Sequence, residues 1–130
     1  MASGFGFMEM HDRFLEEWKH AMAGGDTSGL EEKMASGYFV AFFRRGDEKP
    51  MFFNRDEAVE GMRQSVVSNK GAEKHFKNRL YRMRDDRNAV VFYEQIIEKE
   101  DETFTRFFTI ENWRLYDGGW FLISEVQEWI

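Results

Sequence analysis

Four long apolar-rich runs, parted by short turns, occupy the second half of this 130-residue chain and constrain its fold more than any other feature. They are Lys74 to Arg84, Asn88 to Glu98, Thr103 to Tyr116 and Trp120 to Trp129. Each is dense in aromatic and β-branched residues, the side chains that suit a pleated, half-buried surface. The separators Asp85-Asp86-Arg87, Lys99-Glu100-Asp101 and Asp117-Gly118-Gly119 are turn chemistry. Connections that short join only antiparallel neighbours, so the second half is a meander.

The first half reads differently. Phe7, Met8, Phe14, Leu15, Trp18, Ala21 and Met22 recur at spacings of three, four and seven, which makes Phe7 to Met22 an amphipathic helix. Gly24-Gly25 ends it, and Asp26 caps a short second helix over Thr27 to Ser36, stopped by Gly37. Tyr38 to Phe43 is a buried strand, 46–50 a turn ending at the single proline, and Met51 to Phe53 a short strand. Asn54 and Glu57 form a capping box ahead of a third helix carrying Ala58, Val59, Met62 and Val66. The predicted fold is therefore one α+β domain over 1–130, ordered α-α-β-β-α-β-β-β-β, with three helices on the concave face of a curved, mostly antiparallel sheet: a cone, or cystatin-like roll.

Alternation along the strands does not separate a core face from a wet one. In the last strand Trp120, Leu122 and Val126 fall on one face and Phe121, Ile123 and Trp129 on the other. In the run before it, Phe107, Trp113 and Leu115 oppose Phe104, Phe108, Ile110 and Tyr116. Helices cover one face of one sheet, so the second apolar face needs another cover. The expectation is a homodimer through the outer sheet face. The other explanation is a bulge that switches the inward set partway along.

Composition narrows the function. With 14 Phe, 4 Trp and 42% hydrophobic residues the chain has ample core material, and with no cysteine it has neither disulfides nor thiolate metal sites. A net charge of −6 argues against nucleic acid. The basic run of Lys70, Lys74, Lys77, Arg79, Arg82, Arg84 and Arg87 reads as a solvated strand face with loop charges. No apolar run reaches the ~18 residues of a membrane span and the first residues lack a basic leader, which places the chain in the cytoplasm, off the membrane. No phosphate loop, helical zinc motif or nucleophile elbow is present, and no metal or cofactor is expected.

Helices leaning on a curled sheet leave a cavity at the open end of the cone, here walled by aromatic residues and methionine. Few polar side chains can enter it. His11 lies on the apolar side of the first helix, whereas His20 sits beside Glu16 and Glu17 on its polar side. His75 opens a strand and shares a face with Tyr81 if the alternation is unbroken. Glu111, flanked by Ile110, Asn112 and Trp113, has two readings. Pointing inward against an apolar wall, it is a protonated carboxylic acid that donates a hydrogen bond to a substrate oxygen; pointing outward, it is a solvated surface group.

The stretch Trp18-x-x-Ala21-x-x-x-Gly25-Asp26-x-x-x-Leu30-x-x-x-Met34-x-x-x-Tyr38 resembles the opening of nuclear transport factor 2-like proteins. The ending Trp113-Arg114-Leu115-Tyr116-Asp117-Gly118-Gly119-Trp120-Phe121-Leu122-Ile123 is similar to the last hairpin of their SnoaL-like and ketosteroid-isomerase-like branch. The resemblance implies homodimers and an apolar cavity that serves isomerases, cyclases, dehydratases, binding proteins and assembly modules alike. Carried over residue by residue, the ketosteroid-isomerase oxyanion-hole tyrosine falls at Trp18, the general base at Phe42 and the protonated carboxylic acid near Glu111. A phenyl ring cannot take a proton, so that isomerisation is not expected by that route.

Three readings follow. The leading one is a homodimer binding a small hydrophobic molecule, with Trp18, Phe42 and Trp113 as walls and Glu111 or His11 as the polar anchor. The second is an isomerase, cyclase or dehydratase with Glu111 as acid or His75 as base. The third is an assembly module whose cone is filled by its own Phe and Met side chains.

Overall fold

The computed structural model describes residues 4–100 and 102–130; Asp101 and the Phe104 side chain, both used above, lie outside the described residues. The elements run α1 (Gly4–Gly24), α2 (Ser28–Lys33), β1 (Met34–Phe43), β2 (Met51–Asn54), α3 (Arg55–Ser68), β3 (Glu73–Met83), β4 (Asn88–Lys99), β5 (Glu102–Tyr116) and β6 (Gly119–Trp129). This is the expected order. The six strands form one sheet, β2-β1-β6-β5-β4-β3, with β1 parallel to β6 and every other pair antiparallel. No helix among the described residues is long and apolar enough to cross a membrane.

Local signals set the helix ends. Gly25 takes φ 81° and its N–H bonds the Ala21 carbonyl at 2.7 Å, an αL cap that a side chain would strain. The capping box is present: Glu57 N–H donates to Asn54 Oδ1 at 2.9 Å, and Asn54 N–H to Glu57 Oε1 at 3.0 Å. Such a cap contributes about 1 kcal/mol. Asp85 accepts from the Arg87 N–H at 2.8 Å, so the acidic β3–β4 link is a hydrogen-bonded turn. The second helix is shorter than expected, because 34–37 is strand: Met34 pairs with Leu122 of β6, a contact invisible to local reading.

The core lies between the helices and one face of the sheet. Phe7, Phe14, Ala21 and Met22 of α1 and Val59 and Val66 of α3 pack on Val91, Ile97, Trp113, Trp120 and Leu122. Each fully buried large apolar side chain stabilises the fold by roughly 1.5–3 kcal/mol. The Trp113 indole edges Phe14 at 4.9 Å between centroids, and Trp120 edges Phe7 at the same distance.

Two bulges decide which residues face that core. In β6, Leu122 and Ser124 stand opposite the consecutive residues Trp113 and Asn112, so Ile123 is extra. Beyond it the inward set changes parity: Glu125, Gln127 and Trp129 turn to the concave side and Val126 turns out. In β3, Asn78 takes φ 58° between the Lys77 and Leu80 pairings. His75 and Tyr81 therefore lie on opposite faces, contrary to the unbroken alternation. The β6 bulge explains part of the two-faced pattern, yet an apolar row still crosses the outer face: Leu80, Phe92, Ile110, Val126, Ala41 and Phe52 are successive strand partners. Leu80 and Phe52 at its ends are 70% and 60% exposed.

Candidate functional site

A cavity of about 410 Å³ opens between α1, α3 and the concave side of the sheet. Phe14 and Trp18 of α1, Ala58 and Met62 of α3, and Phe42 and Phe107 of the sheet supply much of its wall. Phe42, Phe107 and Trp129 cluster with centroids 5.5 to 6.2 Å apart, Phe42 meeting Phe107 edge-on. Against these walls stand a few polar groups, among them Tyr38, Lys74, Glu125 and Gln127. A mostly apolar hollow with convergent polar groups is the ordinary form of a small-molecule site.

Glu111 is 1% exposed, faces inward, and sits behind the cavity wall. Its Oε1 meets His11 Nε2 at 2.7 Å and accepts from Trp113 Nε1 at 2.9 Å; its Oε2 accepts a short hydrogen bond from the Tyr93 hydroxyl. The tautomer of His11 follows from its other nitrogen. Arg79 Nη1 lies 3.1 Å from His11 Nδ1, and a guanidinium only donates, so Nδ1 carries the lone pair and Nε2 donates to Glu111. Glu111 thus receives three donors, an arrangement suited to a carboxylate, which accepts at both oxygens. Arg79 also reaches Asp12 at 2.6 Å, so the chain of contacts runs from the interior to the surface.

Glu125 is the cross-strand partner of Glu111 and is 7% exposed. Direct partners have Cβ atoms about 4.5–5.5 Å apart, so two carboxyl groups share one buried face. They are unequally solvated by the protein. Glu125 accepts from Tyr38 Oη at 3.0 Å and Gln127 Nε2 at 2.8 Å. Burial, then the neighbouring Glu111 charge, pushes Glu125 up to about 7. It is thereby poised between proton donor and acceptor near neutrality, as a general acid or base must be. Burial and the Glu125 charge raise the Tyr38 phenol, which remains a neutral donor. The Tyr93 phenol is raised likewise, by burial and then Glu111.

Lys74 enters from the first residues of β3. Its Nζ lies 3.4 Å from the centroid of the Trp18 ring, a cation–π contact inside the cavity. Burial lowers it to about 8, against the opposing pull of Glu125 and Glu111.

Of the residues singled out in the sequence, Trp18 and Phe42 line the cavity. His11, Glu111 and Trp113 are fully buried in one cluster behind it. His75 is elsewhere: it faces the outer side near Glu73 and Glu98, at 3.4 and 3.6 Å. Sequence reasoning missed Tyr38, Lys74, Glu125 and Gln127. Counting straight from Trp120 and Leu122 turns Glu125 outward, and only the bulge at Ile123 returns it. Lys74 was hidden in a charge run read as solvated, and Arg79 of the same run is committed to α1. The one available signal was Tyr38, a hydroxyl in a buried strand that requires a partner.

No protein-family model and no curated protein matches the sequence. Solved structures do. A nuclear transport factor 2-like protein of unknown function from Silicibacter pomeroyi matches with TM-score 0.72 at 16% identity, over 98% of this chain and 99% of the other. A candidate dehydratase of the same family from Streptomyces avermitilis gives 0.74 at 13%, over 98% and 99%. The yeast UBP3-associated protein BRE5 gives 0.74 at 9%, over 95% and 96%. Identities this low speak for architecture alone, and the bearers of that architecture differ in role. With its helices on the concave side of a six-stranded mixed sheet, the chain has the cystatin-like fold of the nuclear transport factor 2-like proteins.

Proposed function

We propose that this chain is a cytoplasmic homodimer in which each subunit binds one small, largely apolar molecule, with an oxygen of that molecule read by Glu125 and Tyr38. The cavity carries this reading: about 410 Å³ of space walled largely by aromatic and aliphatic side chains, with Tyr38, Lys74, Glu125 and Gln127 entering it from the sheet side. A cone filled by its own Phe and Met would leave no such space, which weighs against a purely structural module. The dimer reading rests on the apolar row across the outer face, a surface that a second copy would cover isologously.

A second reading, proton-transfer catalysis of the isomerase or dehydratase kind, draws on the Glu111–Glu125 pair. Two buried carboxylates on one face repel, so Glu125 is driven to hold a proton near neutrality, one that it can pass to a ligand. Glu111 lies behind the wall, so its part is exerted through Glu125. Titration with 2-methylnaphthalene, read by quenching of Trp18 and Trp129, tests the shared premise. Saturation at one molecule per chain is expected, and Ala58→Trp, which fills the cavity from α3, should weaken it at least tenfold. Unsaturable quenching, or quenching untouched by Ala58→Trp, would remove the cavity from consideration.

A further inference from the structure

Resting on the reading that the cavity takes a ligand, we propose that Lys74 is a covalent anchor for a small apolar aldehyde or ketone, forming an imine with the carbonyl carbon while Glu125 carries the protons.

The geometry supplies each requirement. The Lys74 amine is inside the cavity, held 3.4 Å over the Trp18 ring. Among the described residues no carboxylate comes within ion-pair distance of it, unlike Lys19, Arg44, Arg63, Arg79 and Arg106. The lowered proton affinity given above follows from the same enclosure. At pH 7 about a tenth of Lys74 is the neutral nucleophile, against fewer than one in a thousand for a solvated lysine. Glu125 lines the same cavity, near enough for its charge to act on Lys74.

The step balances without an oxidant or metal. The neutral amine nitrogen bonds the carbonyl carbon, and the C=O π pair moves to oxygen, which takes the proton of the Glu125 carboxylic acid. The nitrogen sheds a proton to the Glu125 carboxylate, giving a neutral carbinolamine. Glu125 then returns that proton to the hydroxyl; the C–O bond breaks, water leaves, the nitrogen lone pair closes the C=N bond as an iminium, and the iminium N–H proton passes back to the Glu125 carboxylate. The net change is amine plus carbonyl giving imine plus water. The aromatic walls favour loss of water and exclude large polar substrates, so the carbonyl must sit on an apolar body.

The test uses the full chain with 2-naphthaldehyde at pH 7 and sodium cyanoborohydride, which reduces an imine to a stable amine. Intact mass and peptide mapping should show one naphthylmethyl group, on Lys74, formed at least tenfold faster than on any other lysine. Lys74→Met should abolish it, and Glu125→Gln should slow it at least tenfold. Label spread over surface lysines, or unchanged in Lys74→Met, overturns the proposal; a rate unchanged in Glu125→Gln overturns the proton-carrier role. If 2-methylnaphthalene or 2-naphthoate binds but the aldehyde leaves no adduct, the cavity reading stands and the imine falls. If none of the three binds, both fall.

Discussion

His11→Phe is the sharpest probe of the interior. The imidazole is fully buried among Phe7, Phe14, Tyr93 and Trp113, with ring centroids 5.7 to 6.1 Å away, so a phenyl ring fills the space with little strain. What is lost is polar: the bond to Glu111 at 2.7 Å and the link to Arg79 at 3.1 Å. Glu111 stays buried with only Tyr93 and Trp113 as donors. A hydrogen bond to a charged group contributes about 1.5–3 kcal/mol, and stranding a buried ion costs up to 3–5 kcal/mol, so a loss of about 2–4 kcal/mol is expected. At a urea slope of about 2 kcal/mol/M the midpoint falls by about 1–2 M, followed by tryptophan fluorescence. Asp12→Ala, which removes the 60%-exposed end of the same chain of contacts, should cost under about 1 kcal/mol. Glu111→Gln should cost less in the His11→Phe background than alone, with a coupling of at least about 1.5 kcal/mol. A His11→Phe cost below about 1 kcal/mol, or strict additivity, would refute the view that this network holds the interior together.

Glu125→Gln should stabilise the fold by up to about 3 kcal/mol at pH 8, because the raised carboxyl is ionised there against the cost of burial. The native chain binds this proton more tightly than the unfolded one, so the wild type loses stability as pH rises from about 4.5 to about 7 and the loss is complete above that. The gain in the variant should therefore vanish below pH 4.5, and a gain independent of pH in urea titrations would contradict the assignment. Ile110→Glu, at the middle of the outer apolar row, should give a monomer by size exclusion with light scattering while leaving 2-methylnaphthalene binding intact. A persistent dimer would place the subunit contact elsewhere.

Much of this fold was legible in the residues themselves. The 3.6-residue recurrence from Phe7 to Met22, the Asn54–Glu57 box and the short turns between four aromatic runs each act within a few residues of chain. They determined the element order and the meander, and they marked Glu111, His11 and Trp113 as unusual before anything showed that the three side chains meet. The residues facing the cavity were decided otherwise. A strand's alternation holds only until a bulge, and the extra residues at Ile123, where β6 pairs with β5, and at Asn78, where β3 pairs with β4, are marked by no turn or periodicity signal in the chain. One such residue reverses every side chain beyond it. That reversal brings Glu125 beside Tyr38 and sends His75 away from Tyr81. The sequence by itself determined the architecture and the apolar walls, because periodicity and turn chemistry are local. Only the tertiary structure decided which polar groups enter the cavity, because facing is set by bulges that local periodicity does not mark and by the pairing of β1 with β6, far apart in sequence.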